Sequence, residues 1–315
     1  MFMVAGSFLV SIVATLGVIA FNLMRLSLKE QVGEKPIAKS GGIAFMIPFI
    51  AAWIYIQGFG IGAICMILAV IFGAISDFKD LKIGWYFIST IILGIMIIAG
   101  GYTLAITNIG LINILLTLVI WSLLLWGVHK INDLDGQVVG VGVLISVGVY
   151  LIQGNMDYLA LILGTSLLGF LIFNMYPTRA YVGASGCYGL SMALMLIVSE
   201  EIKILEGGIS GYYPLVLFSI IILDGIIGGI LLIERGFENW SVPESYICTV
   251  FLNNYYLNQR IVVLIYYGIV AVTVAFSVAY IYANWIVQML ILATILAFGF
   301  TMIWYIFKEK ASFQS

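Results

Sequence analysis

Apolar runs of about 16 to 22 residues recur from one end of this chain to the other, and that recurrence restricts it to a membrane-spanning helical fold. Roughly 20 apolar residues, rising ~1.5 Å each, cross a ~30 Å hydrocarbon core. Lipid offers the backbone no hydrogen-bonding partner, so each run must pair its own N–H and C=O groups as a helix. Only 9% of the 315 residues are charged and 63% are hydrophobic, which excludes a water-soluble fold. The first run, Met3 to Met24, is too long for a signal-peptide core and has no basic head before it, so it reads as a retained span. Apolar runs and polar breaks predict spans at 3–24, 42–57, 59–75, 84–100, 109–128, 138–153, 159–176, 181–198, 212–233, 261–282 and 286–307. The expected fold is an all-α polytopic transmembrane helical bundle of about 11 spans, with residues 1–315 a single integral membrane domain and no internal repeat.

Orientation follows from the basic residues, because loops on the cytoplasmic side hold the excess of Lys and Arg. An outer N-terminus and an inner C-terminus place Arg25, Lys29, Lys35, Lys39, Lys79, Lys82, Lys130, Arg179, Arg235, Arg260, Lys308 and Lys310 on the inner face. Of the thirteen basic residues, that leaves only Lys203 outside, near Glu200, Glu201 and Glu206. The expected location is the plasma membrane, with any site for a water-borne substrate on the cytoplasmic face. The net charge of −2 sums charges that are sorted by membrane side, so it says little about partners. Nucleic acid is not an expected partner; the lipid bilayer is, and a homodimer is admissible. Cys65, Cys187 and Cys248 are scattered without ligand spacing and read as small packed hydrophobes.

Chemistry then belongs to the inner loops. Lys35-Pro36-Ile37-Ala38-Lys39-Ser40-Gly41-Gly42 is a basic, glycine-containing segment that runs into a helix start, an arrangement that suits phosphate as well as a plain positive loop. Two further loops carry Ser76-Asp77-Phe78-Lys79-Asp80 and Asn132-Asp133-Leu134-Asp135-Gly136. Carboxylates at a membrane edge are commonly solvated caps. Asp77, Asp80, Asp133 and Asp135 are four acids in two short loops, which could instead hold Mg²⁺, an ion that takes hard oxygen ligands and bridges substrate phosphates. His129 is the only histidine, so paired-His metal sites are unsupported. Asp224 lies inside the ninth predicted span, where a carboxylate costs about 2.5–3.5 kcal/mol on insertion scales, and is therefore an intramembrane functional candidate. Gly225 and Gly229, four apart beside it, permit close helix approach.

Taken in order, these segments resemble the polyprenyl-phosphate N-acetylhexosamine-1-phosphate transferases, the glycosyltransferase family 4 that includes phospho-N-acetylmuramoyl-pentapeptide transferase and dolichyl-phosphate N-acetylglucosamine-phosphotransferase. Lys35 to Phe45 resembles the family's basic-Pro then Gly-Gly lead-in to the second span, and Gly73 to Leu81 its aspartate-pair loop. Ile131 to Gly140 is similar to its Asp-Gly-x-Asp-Gly segment. Phe173 to Tyr188 resembles the Asn-Trp-Tyr-Pro and Val-Gly-Asp-Thr stretches of the eukaryotic branch, and Asp224 followed by Arg235 echoes the ninth span and its basic sequel. The resemblance implies transfer of a sugar-1-phosphate from a UDP-sugar to a polyprenyl phosphate, with release of UMP and with Mg²⁺ as cofactor. It implies Asp77 and Asp135 as catalytic acids at the metal; Asp80 and Asp133 are the acids available to substitute for family ligands that this sequence lacks. It also implies Lys35, Lys39, Asn174, Arg179, Gly183, Ser185 and Arg235 as substrate-binding residues.

Departures from the family pattern are specific. Ser76 stands where the family has the first of two adjacent aspartates, and Ala184 where it has the aspartate of Gly-Asp-x-Gly. The Asp-Gly-x-Asp-Gly segment keeps its second acid as Asp135 and has its first displaced to Asp133. Phe251-Leu252-Asn253-Asn254 occupies the place of the bacterial His-x-His-His motif, which the eukaryotic branch also lacks. Two alternatives to a working transferase follow. One is a catalytically degenerate relative that binds lipid phosphate or nucleotide as a partner or regulator; the other is a membrane transporter with Asp224 as its coupling residue.

Overall fold

The structure, a computed structural model, describes residues 2–23, 29–32, 35–38, 40–79, 83–152, 157–204, 209–235, 245, 247–248 and 256–314. Helices dominate it: α1 (Phe2–Leu23), α2 (Ile43–Gln57), α3 (Ile61–Phe78), α4 (Ile83–Ala99), α5 (Gly110–Lys130), α6 (Gln137–Ile152), α7 (Asp157–Asn174) and α8 (Gly183–Ile204). A 3₁₀ turn at Ile209–Tyr212 leads into the short α9 (Tyr213–Leu217), followed by α10 (Ser219–Arg235), α11 (Gln259–Tyr282) and α12 (Trp285–Gln314). The departure from an all-α chain is an antiparallel hairpin of β1 (Lys29–Val32) and β2 (Lys35–Ala38), pairing Lys29 with Ala38 and Val32 with Lys35.

Among the described residues, six helices are long and apolar enough to cross a membrane: Phe2–Ala20, Ile61–Phe78, Gly110–Lys130, Gly183–Ile202, Gln259–Tyr282 and Trp285–Trp304. Shorter apolar helices lie at Ile43–Gln57, Gly84–Ala99, Gln137–Ile152, Tyr158–Asn174 and Ser219–Ile230. This is an integral membrane protein. The predicted boundary at Gly58 and Gly60 is real: Gly58 adopts φ 83°, which ends α2 before α3 begins at Ile61. The predicted ninth span is broken instead of continuous. Pro214 starts α9, and Phe218 leaves helical geometry at φ −94°, ψ 4° before α10 resumes.

Helix α8 is the axis of the bundle. Within its span 94% of residues are buried, against 17% for α1 and 11% for α12, which therefore lie at the periphery. Packing against α2, α3, α5, α6 and α7 surrounds α8. Between helices in lipid there is no hydrophobic drive to associate, so small residues that admit close contact decide which faces meet. A Cβ on Gly73 would lie 2.5 Å from the Ala184 carbonyl oxygen and 2.5 Å from Ser185 Cα, and one on Gly42 would overlap Gly186. These contacts seat the start of α8 against the end of α3 and the start of α2. Gly225 meets Gly127 of α5, and the Trp126 indole N–H donates to the Gly225 carbonyl at 2.8 Å, so the Gly225 spacing does mark a close crossing. The peripheral α1 is fixed to α7 by polar contacts: Ser7 and Thr165 hydroxyls are 2.7 Å apart, and Ser11 donates to the Ser166 carbonyl at 2.6 Å.

Candidate functional site

The last turn of α3 projects Asp77 onto the N-terminus of α8. The first N–H groups of any helix lack intrahelical acceptors, and here an acid from another helix takes two of them. Asp77 Oδ1 accepts from the Ala184 N–H at 2.6 Å and Oδ2 from the Ser185 N–H at 3.0 Å. Gly183, at φ 68°, lets the chain turn from an extended segment into α8. That segment is pinned by Gly41 and Gly42, whose N–H groups donate to the Tyr181 and Val182 carbonyls at 2.8 and 2.9 Å. The buried hydroxyls of Ser40 and Ser185 flank the Asp77 carboxylate, yet neither is held in a well-formed hydrogen bond. Asp77 thus belongs to a helix end, three residues beyond the span boundary expected at 75.

The second element is the turn Ile131–Gly136 between α5 and α6. Gly136, at φ 82°, closes it, and the Tyr267 hydroxyl of α11 donates to the Gly136 carbonyl at 2.7 Å. The third is the loop from Met175 to Val182, whose cis Tyr176–Pro177 bond precedes Thr178. Hydrogen bonds join turn and loop: the Thr178 N–H donates to Asp135 Oδ2 at 3.3 Å, and the Tyr181 hydroxyl to the Asn132 carbonyl at 3.2 Å. Asp135 is half-buried, and burial raises its carboxyl above the ordinary value while the Thr178 N–H opposes that shift. Asn174, at the end of α7, is buried and donates to the Ala180 carbonyl at 2.9 Å, so it shapes the loop from within. Arg179 is exposed on the same loop, and the Arg260 guanidinium lies 5.0 Å from the Tyr176 ring centre.

Several expected site residues fall elsewhere. The backbone of Lys35 is in β2 and that of Arg235 ends α10, but their side chains, like all of Lys39 and Asp80, lie outside the described residues. Helix α3 stops at Phe78, and Lys79 is extended at φ −126°, ψ 130°. Asp133 Oδ2 accepts from the Ser245 N–H at 3.4 Å, on a different partner from Asp135. Asp224 is fully buried and bound to Ser245 and Tyr266. Among the described residues, no three His, Cys, Asp or Glu side chains converge as a metal group. The described carboxylates of Asp77, Asp133 and Asp135 each accept from a different partner. The roles of Thr178, Tyr181, Gln137, Ser245 and Tyr267 were not legible beforehand, since each acts through a long-range contact; Thr178, Tyr181 and Gln137 lie inside the matched segments, and Ser245 and Tyr267 in none.

Residues 59–200 match the family model for Glycosyl transferase family 4, the family that the motifs resemble. The matched stretch runs from the start of α3 through most of α8 and so includes Asp77, Asp133, Asp135, Arg179 and position 184. No curated protein matches the chain. The family match over residues 59–200 and the apolar helices fit a membrane glycosyl transferase-like protein.

Proposed function

We propose, from the glycosyl transferase family 4 match of residues 59–200, that this protein moves a sugar-1-phosphate from a UDP-sugar to a polyprenyl phosphate at its inner, cytoplasmic face, in the plasma membrane. One observation carries this reading. Three segments far apart in sequence, the end of α3, the 131–136 turn and the 175–182 loop with the start of α8, are joined into one polar mouth at one end of the bundle by hydrogen bonds that Asp77, the Asn132 carbonyl and Asp135 accept. A lipid phosphate reaches such a mouth laterally from the bilayer, and the nucleotide reaches it from water. Asp135 is suited to take the proton of the lipid phosphate, because burial makes its carboxylate a stronger base than an ordinary one. Arg179, exposed beside it, is placed to meet phosphate charge. Any Mg²⁺ would arrive with the substrate pyrophosphate, held by at most one or two of these acids.

A test follows with purified protein, a radiolabelled UDP-sugar, polyprenyl phosphate and Mg²⁺. Lipid-linked product should form, and Asp135→Asn should abolish it. The sign of the pH dependence is fixed by the proton acceptor: only ionised Asp135 can accept, so transfer should fall on acidification, with its midpoint above the ordinary carboxylate range. An acid limb unchanged in a residually active Asp135→Asn variant would remove Asp135 from that role.

A second reading, the non-catalytic relative, is favoured by one arrangement: both oxygens of Asp77 are occupied by backbone N–H groups, and position 184 has no carboxylate. Absence of lipid-linked product from the natural sequence would select it. The proposed eleven spans, with N-terminus out, have their own check. Cysteines introduced as Lys203→Cys and Glu309→Cys should label from opposite sides of sealed vesicles; labelling from one side sinks the scheme.

A further inference from the structure

Asp224 lies within α10 with no exposed surface, and its partners come from the last inner loop and from α11. Oδ2 accepts the Ser245 hydroxyl at 2.5 Å and the Tyr266 hydroxyl at 3.4 Å, while Oδ1 accepts the Ile247 N–H at 3.4 Å. Ser245 is engaged on its other side as well. Its N–H donates to Asp133 Oδ2 at 3.4 Å, and its hydroxyl accepts the Cys248 N–H at 3.3 Å. Gln137 completes the circuit, donating from Nε2 to Cys248 Sγ at 3.1 Å and accepting the Leu134 N–H on Oε1 at 3.3 Å. Ser245 is therefore tied both to a carboxylate inside the bundle and to the turn that carries Asp133 and Asp135, Ile247 to the same buried carboxylate, and Cys248 to the first residue of α6. A carboxylate with three donors from the protein is arranged to anchor, not to load and release an ion, which argues against the transporter reading.

We propose that Asp224 and Ser245 are positioning residues: together they clasp Ser245, Ile247 and Cys248 against the 131–136 turn and the start of α6, and thereby fix Asp135 at the inner mouth. The value of that placement rests on the transferase reading; the clasp itself is a property of the fold and is testable without activity.

Cys248 is a built-in reporter. It has no exposed surface, and burial together with the nearby Asp224 and Asp133 charges pushes its thiol up to about 12. Thiolate is the form that reacts with maleimides, so the clasped thiol is shielded both by access and by protonation. Cys65 and Cys187, also without exposed surface, lie in the bundle core and report global unfolding. The experiment follows maleimide modification of all three cysteines by mass spectrometry in nanodiscs. In the natural sequence Cys248 should react no faster than Cys65 and Cys187. Ser245→Ala and Asp224→Asn should each raise its rate about tenfold or more while the other two stay protected, and Ser245→Thr should restore protection. Should Asp224→Asn unfold the protein, seen as all three reacting together, Ser245→Ala decides the matter alone. Positioning is read separately from packing by adding Asp135→Cys: its labelling rate should change on Ser245→Ala. An unchanged Cys248 rate in Ser245→Ala overturns the clasp, and an unchanged rate at position 135 overturns the positioning role. A protein with an intact clasp and no transfer would instead fail the transferase reading alone.

Discussion

Asp77→Ala should destabilise the folded protein by about 3–5 kcal/mol, the largest loss expected from any single change at the inner face. The carboxylate accepts two backbone N–H groups, from Ala184 at 2.6 Å and Ser185 at 3.0 Å, at the start of the most buried helix in the bundle. Hydrogen bonds to a charged group contribute about 1.5–3 kcal/mol each, and truncation leaves both donors without an acceptor in a packed seam. Asp77→Asn keeps one acceptor oxygen but turns an amide donor toward the second N–H, so its loss should be smaller yet clear. Gly73→Val attacks the same seam sterically, because its side chain would press on the Ala184 carbonyl and Ser185 Cα, which are backbone and cannot swing aside. Asp135→Asn is the contrasting case, since one bond of 3.3 Å at a half-buried site should shift the melt little. Intrinsic-tryptophan melts of the purified variants measure all four. A wild-type melt for Asp77→Ala would show that the acid does not hold α8 and would free it for another role.

What could be read in advance divides along physical lines. Helix positions were legible because lipid forces every long apolar run to satisfy its own backbone, and the glycine break at Gly58 and the Gly225 crossing were legible as local spacing. The extension of α3 to Phe78 was not, because Ser76 and Asp77 look like a loop start, although a polar residue continues a helix readily when its side chain finds a partner. That partner is 107 residues away. The same holds for Asp224: its place in an apolar run marked it as unusual, but nothing local points to Ser245, 21 residues on. The candidate acids were found by type and order, whereas their attachments to Thr178, Ser245 and the α8 N–H groups depend on tertiary contacts. Order and residue type thus named the acids, while the partners that Asp77, Asp133 and Asp135 take are set by tertiary contacts, and Asp80 lies outside the described residues.

Restoring the two missing family acids separates the active and silent readings most sharply. Ser76→Asp would add a carboxylate adjacent to Asp77 on the last turn of α3, and Ala184→Asp would add another at the residue whose N–H Asp77 already accepts. Like charges brought this close repel unless a cation lies between them. The double variant should therefore melt lower than the parent in EDTA, and Mg²⁺ should reverse the loss, by about 2.7 kcal/mol at a Mg²⁺ concentration a hundredfold above its Kd. Mg²⁺ should leave the melt of the natural sequence unmoved, because its described acids do not converge. A natural protein without turnover whose double variant gains Mg²⁺-dependent transfer would establish a silenced transferase, since the fold would then lack only its metal ligands. Mg²⁺-dependent transfer by the natural sequence, lost in a folded Asp77→Asn variant, would eliminate the silent reading. The ion would then have to be held with the substrate's own phosphates, with Asp77 giving up its hold on α8 during turnover.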